Sequence, residues 1–187
     1  MQSSEFIQRS CRKLDLFPTP VGILRKAWLR FRGAQIAAST YVPRILVTWP
    51  HQMRIGGHCV LQPDIFFNYD SYWMPGPSIR IGNNVFVGRG AEFNIVGGLD
   101  VGDEALIASG CVFVDHDHGT DPGVPMKKQA NKVQPITLGR DVWLGANCVV
   151  LKGVNIGDRA IVGAGSVVTK SIPSGEIWAG SPARKIK

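Results

Sequence analysis

"IGDRAIVGAGSV", Ile156 to Val167, is one six-residue unit written twice: an aliphatic residue, Gly, two turn-like residues, a small residue and an apolar one. Reading toward the N-terminus, the unit recurs as "VLKGVN", "LGANCV" and "LGRDVW". Across an interruption it returns as "FVDHDH", "IASGCV" and "VGDEAL", then, after a two-residue slip, as "FNIVGG", "VGRGAE" and "IGNNVF", with "IGGHCV" at Ile55 the first copy. The fifth position stays small: Cys59, Val85, Ala91, Gly97, Ala105, Cys111, Val142, Cys148, Val154, Ala160 and Ser166. A period of six fits neither a helix nor a lone alternating strand. It fits short strands joined by tight turns, each aliphatic residue stacked on its counterpart one coil away, with Gly and Asn at the corners where positive φ is cheap. The expected fold is therefore an all-β solenoid, a parallel β-helix over residues 55–187.

The lattice also accounts for the cysteines. Three of the four occupy the small fifth slot, only Cys11 lies outside the repeat, and no CxxC is present. They read as compact core residues rather than nucleophiles or metal ligands.

Residues 1–54 form a separate basic segment, helical and extended. They hold nine Lys and Arg against Glu5 and Asp15, so the whole net charge of +7 sits there and the remainder is neutral. Within the segment, "PVGILRKAWLRFRG" spaces Ile23, Leu24, Ala27, Trp28 and Phe31 by threes and fours, with Arg25, Lys26, Arg30 and Arg32 between them. This predicts an amphipathic basic helix opened by Pro20 and closed by Gly33, either docked on its own domain or touching an anionic membrane surface. No apolar run is long enough to span a bilayer, and the N-terminus lacks the order of a secretory signal, so a cytoplasmic location is expected.

The interruption is "FVDHDHGTDPGVPM", Phe113 to Met126, opening a loop over 115–135 before the coil resumes at "PITLGRDVWLG". Gly119, Pro122, Gly123 and Pro125 stop it from continuing as a coil. Lys127, Lys128 and Lys132 make it basic, as solvated lysines or as phosphate contacts.

Taken together, the tandem repeat, the histidine-bearing loop and the ending "IGDRAIVGAGSVVTKSIPSGEIWAGSPARKIK" resemble the hexapeptide-repeat acyltransferases, in particular the maltose, galactoside and exopolysaccharide O-acetyltransferase branch. The resemblance covers about residues 55–187. It implies a left-handed β-helix, a homotrimer with active sites between subunits, acetyl-CoA as donor, a sugar or glycan acceptor, and no metal or nucleic acid. Acyl transfer to a hydroxyl requires a base for the hydroxyl proton, and a neutral imidazole whose other nitrogen is fixed by a carboxylate or carbonyl is suited to the task. His118, at the last place of its hexapeptide, matches the family's essential histidine; His116 is the alternative, with Asp115 or Asp117 to orient either. Glu92 stands where galactoside-type relatives carry an acceptor-binding Asn, with Asn94 nearby, so the acceptor contacts are expected to differ. Trp143 is expected to flank the acceptor or the pantetheine arm, and Tyr69, Tyr72 and Trp73 offer stacking surfaces for a sugar. The positions matching CoA contacts are Gly145, Ala146, Ala164, Thr169, Lys170 and Arg184.

The sequence leaves rivals open. An amine acceptor also needs deprotonation, so N-acetylation of an amino sugar or nucleotide-linked sugar is one. A metal site on His116 and His118 is a second, and a non-catalytic assembly solenoid is a third.

Overall fold

Three hexapeptides complete one coil, and each contributes a strand to a different side of a prism. The computed structural model describes residues 20–187 and shows three parallel sheets wound as a left-handed β-helix. The first face stacks Gln35–Ile36, Met53–Ile55, Ile79–Ile81, Leu99–Val101, Ile136–Leu138 and Asn155–Ile156. The second stacks Val60–Leu61, Phe86–Val87, Leu106–Ile107, Trp143–Leu144, Ile161–Val162 and Ile177–Ala179, ending in an antiparallel strand, Arg184–Lys185. The third stacks Ile45–Val47, Ile65–Tyr69, Glu92–Ile95, Val112–Val114, Val149–Leu151 and Val167–Val168.

Register makes the core continuous. Phe67, Phe93 and Phe113 pair coil on coil, and their rings stack nearly parallel at 4.9 and 5.0 Å. The small fifth-slot residues are buried, Cys59, Cys111 and Cys148 among them as free thiols. Burial raises the Cys59 pKa; a hydrogen bond to Cys148 and burial raise that of Cys111. Cys11 lies outside the described residues. Gly97 departs from the pattern: it is an exposed turn residue in the two-residue slip.

Two positions of the hexapeptide are constrained for different reasons. Positive φ falls at the fourth, where Asn147, Arg159 and Gly165 take 57°, 59° and 69°. The second-position Gly answers to a neighbour instead: a Cβ on Gly145 would lie 2.5 Å from the Ala164 nitrogen of the next coil.

The prism starts earlier than the repeat. Gln35–Ile36 and Ile45–Val47 already pair in register with later strands, so the first coil belongs to the stretch that the repeat alone assigns to a separate segment. Helix Pro20–Phe31 lies against this end, docked on its own domain. Its basic side faces inward. Gly22 and Leu29 are buried, while the side chains of Lys26, Arg30 and Arg25 donate to the carbonyls of Ala38, Thr40, Ile36 and Val42.

The outer surfaces of the faces differ. Along the first runs a polar ladder of Gln35, Arg54, Arg80, Asp100, Thr137 and Asn155, with Arg80 forked onto the Asp100 carboxylate. Along the second the same column is apolar: Val60, Phe86, Leu106, Trp143, Ile161 and Ile177. The third carries Leu46, Phe66, Val112, Val149 and Val167, broken by Glu92.

Candidate active site

Every break in the hexapeptide rhythm falls on one edge of the prism, where the third face turns toward the first. There the chain leaves the coil at Asp70, slips at Val96–Gly98 and extrudes the long loop after Val114. The breaks are joined to one another. Asp115, fully buried, accepts hydrogen bonds from the backbone nitrogens of Val96 (2.8 Å), Gly97 (2.7 Å) and Gly98 (2.8 Å). Gly97 is small because of this turn: a Cβ there would meet the Val133 side chain at 2.6 Å.

His116 and His118 have opposite surroundings. His116 is 8% exposed, with Nδ1 3.2 Å from Asp115 Oδ1 and Nε2 3.7 Å from Asp70 Oδ2. Its backbone pairs with Val133 as the loop returns, and that of Asp117 pairs with Lys132. His118 is exposed, its ring edge-on to His116 at 6.3 Å between centroids. Asp117 holds Lys152 of the next coil at 2.5 Å, across the same edge. Farther out, Gln129 shapes the loop: its amide binds Asp121 and the Val124 carbonyl and fills the space beside Gly119. Lys127, Lys128 and Lys132 are exposed.

Of the other expected acceptor residues, Glu92 and Asn94 project from the third face close to the loop root. Asn94 Nδ2 donates to Glu92 Oε1 at 2.8 Å, its Oδ1 accepts from Asn68 at 3.1 Å, and its carbonyl accepts from the Asp115 nitrogen. Tyr69 is not a stacking surface, because it points inward and is 6% exposed. Tyr72 and Trp73 are exposed in the excursion that follows Asp70, with Trp73 stacked on His51.

The expected CoA residues divide into two groups. Gly145, Ala146 and Ala164 lie together where the second face meets the third, the Gly165 nitrogen bonding the Ala146 carbonyl. The C-terminal strand carrying Arg184 closes against the same coils, with the Ala183 nitrogen on the Val167 carbonyl. Thr169 and Lys170 follow Val168 at the other end of the third face, on the edge that carries His118. Trp143 is half-exposed in the apolar column of the second face, away from the loop of its own chain. A single chain therefore does not bring its loop histidine and its small-residue wall together; the third face separates them.

Sequence reasoning missed Asp70, Lys152 and Gln129. Lys152 had little signal: it stands third in "VLKGVN", a turn-like place that most other units fill with Asp, Arg, Asn or Ala. Asp70 and Gln129 had none, because their roles come from contacts across coils and within the loop. Among the described residues, no three His, Cys, Asp or Glu side chains cluster as a metal site would require.

Comparison with known proteins agrees with this architecture. Residues 78–113 and 135–170 match the model for the hexapeptide repeat of succinyl-transferase. A putative lipopolysaccharide biosynthesis O-acetyl transferase of Escherichia coli is 31% identical over 147 residues, covering 69% of this chain and 75% of that protein. The galactoside O-acetyltransferase of Escherichia coli is 34% identical over 138 residues, 71% of this chain and 62% of its own length. A probable acetyltransferase of Mycobacterium tuberculosis is 35% identical over 111 residues, 59% of this chain and 37% of that protein, so the chain spans less than two thirds of these last two relatives. Among solved structures, a galactoside acetyltransferase in complex with coenzyme A superposes with a TM-score of 0.61 at 24% identity, covering 91% of this chain and 73% of that one. An N-acyltransferase from Bacillus cereus, in complex with dTDP-4-amino-4,6-dideoxyglucose and coenzyme A, superposes with a TM-score of 0.71 at 22% identity, covering 87% and 88%.

Proposed function

The chain belongs to the hexapeptide-repeat acyltransferases, and from that premise we propose that it is an acetyl-CoA-dependent sugar O-acetyltransferase acting in bacterial polysaccharide or glycolipid modification. The base is His118. The observation that carries this assignment is the contrast between the two loop histidines. His116 is buried, with Nδ1 beside the buried Asp115 and Nε2 3.7 Å from the exposed Asp70, whereas His118 is open to solvent at the loop mouth. His116 and Asp115 then form the root that fixes where the loop leaves the prism. Asp117, tied to Lys152, stiffens the segment next to His118.

In the reaction, His118 takes the acceptor hydroxyl proton as its oxygen attacks the thioester carbonyl, then returns a proton to the departing CoA thiolate. Glu92 and Asn94, already hydrogen-bonded together beside the loop root, supply acceptor contacts. Gly145, Ala146 and Ala164 leave room for the pantetheine arm, and Lys170 and Arg184 meet phosphates.

The active unit is a homotrimer. Two of the three prism faces present apolar columns, and the loop edge of one chain lies apart from its own small-residue wall, so a neighbouring copy would cover the former and complete the latter. The enzyme is placed in the cytoplasm, with peripheral contact to the inner face of the membrane where lipid-linked glycan is made.

The test is free-thiol release from acetyl-CoA against a panel of mono- and oligosaccharides and amino sugars. Turnover with hydroxyl acceptors is expected. Turnover with amines alone would make the protein an N-acetyltransferase, and failure to bind CoA would leave a non-catalytic assembly solenoid.

A further inference from the structure

Helix Pro20–Phe31 turns its apolar side away from the protein. Val21, Leu24, Trp28 and Phe31 are 61%, 69%, 53% and 87% exposed, and their spacing of three, four and three residues puts them on one arc along the whole helix. Beside the arc, Val21, Leu24 and Trp28 line an open groove of about 620 Å³ together with Ile45 and Val47. Surface helices ordinarily bury such a stripe, and a contiguous apolar patch left outside marks a contact with something else.

We infer that this arc inserts into the surface of an anionic lipid bilayer, seating the protein on the membrane by its helical end. The contact rests on the peripheral-membrane reading alone and does not depend on acetyl transfer.

Charge selects the partner. Residues 20–54 contain six Lys and Arg and no Asp or Glu. Arg25, Lys26 and Arg30 donate to backbone carbonyls, which leaves their charge in place; among the described residues none of the three pairs with a carboxylate. A second copy of this chain meeting the arc by the same face would oppose two such ends. Phosphatidylglycerol or a similar headgroup brings the opposite sign. At the rim, the Arg32 guanidinium lies 5.4 Å from the Trp28 ring centroid, an indole with a cation beside it, suited to the depth where headgroups meet acyl chains. The helix lies in that interface rather than crossing it, since no described helix is long and apolar enough to span.

The experiment is flotation of the full chain with phosphatidylglycerol–phosphatidylcholine vesicles and with pure phosphatidylcholine vesicles, without substrate. Wild type is expected to float with the anionic vesicles and much less with the neutral ones. Leu24→Ser/Phe31→Ser is expected to lower the partition coefficient at least about tenfold, with unchanged melting temperature and unchanged mass by light scattering. Wild type that stays in the soluble fraction, or a double variant that floats as wild type does, would overturn the inference. A double variant that changes oligomeric state would also overturn it, by making the arc a subunit contact. Acetyl transfer can fail in its own assay while this contact stands, and the reverse also holds.

Discussion

The prism wall and the edge that carries the loop are made from the same chain by different rules. In the wall, each residue's environment follows from its place in the hexapeptide: Phe67, Phe93 and Phe113 are buried and stacked because they hold equivalent positions in successive coils. On the edge, equivalent positions diverge. Tyr69 ends its strand and Asp70 leaves the coil, Ile95 is followed by the Val96–Gly98 turn, and Val114 is followed by a buried carboxylate and two histidines. Repetition gives the scaffold rigidity, and the breaks, confined to one edge, let groups from three coils meet around Asp115 and His116. The proposed chemistry lies where the period fails, supported by a wall where it holds.

The sharpest way to break this comparison is to damage the wall without touching the edge. Phe93→Ala removes the middle ring of the stack and is expected to destabilise the fold by about 3–5 kcal/mol, seen as a lower midpoint in chemical denaturation. Transfer activity per folded molecule should survive at a permissive temperature. A stability change below about 1 kcal/mol would mean the coils do not depend on one another as their register indicates.

Asp115 sits where the two rules meet and should show both effects. Asp115→Ala leaves three backbone donors and His116 without their acceptor. At about 1 kcal/mol for each backbone bond, roughly 3 kcal/mol of stability is lost. For a chain of this size that is a fall of roughly 10 °C in melting temperature by calorimetry. Activity should fall too, through a displaced loop, as a rise in KM larger than the fall in kcat. An unchanged melting temperature would show that the Val96–Gly98 turn holds its shape unaided.

The smallest expected effect runs the other way. Arg159 holds φ at 59° at the fourth position, where other coils carry Gly, Asn, Asp, Glu or His. Arg159→Gly is expected to stabilise the protein by about 0.5–1 kcal/mol with activity unchanged, since Gly takes this conformation without the clash of a Cβ. Destabilisation would indicate that the entropy Gly adds to the unfolded chain outweighs the relief.

The fold was legible because a six-residue period is incompatible with other regular structures, and the loop was legible because Gly119, Pro122, Gly123 and Pro125 cannot continue a coil. Three features were not. The first coil, from Gln35, has Ala37 where later units have Gly and Thr40 in the fifth slot of "IAASTY", so it blurs the signature and is identified by its pairing. The helix was legible as amphipathic, but not as inverted: spacing shows that two faces exist, and only the open carbonyls of residues 36–42 explain why the basic face is the one that docks. At the site, "DHDH" offered two histidines of similar appearance. Their difference arises from Asp70 and from the Val96–Gly98 turn, coils away in sequence.

The most direct measurement is steady-state thiol release by His118→Ala beside His116→Ala, with an acceptor that wild type turns over and with CoA affinity and melting temperature measured in parallel. Loss of kcat by about 10²–10⁴-fold in His118→Ala, with CoA binding and stability intact, is the predicted result, together with a smaller activity loss and a lower melting temperature in His116→Ala. Near-wild-type turnover by His118→Ala alongside an inactive but stably folded His116→Ala would contradict the account and move the base to the buried imidazole.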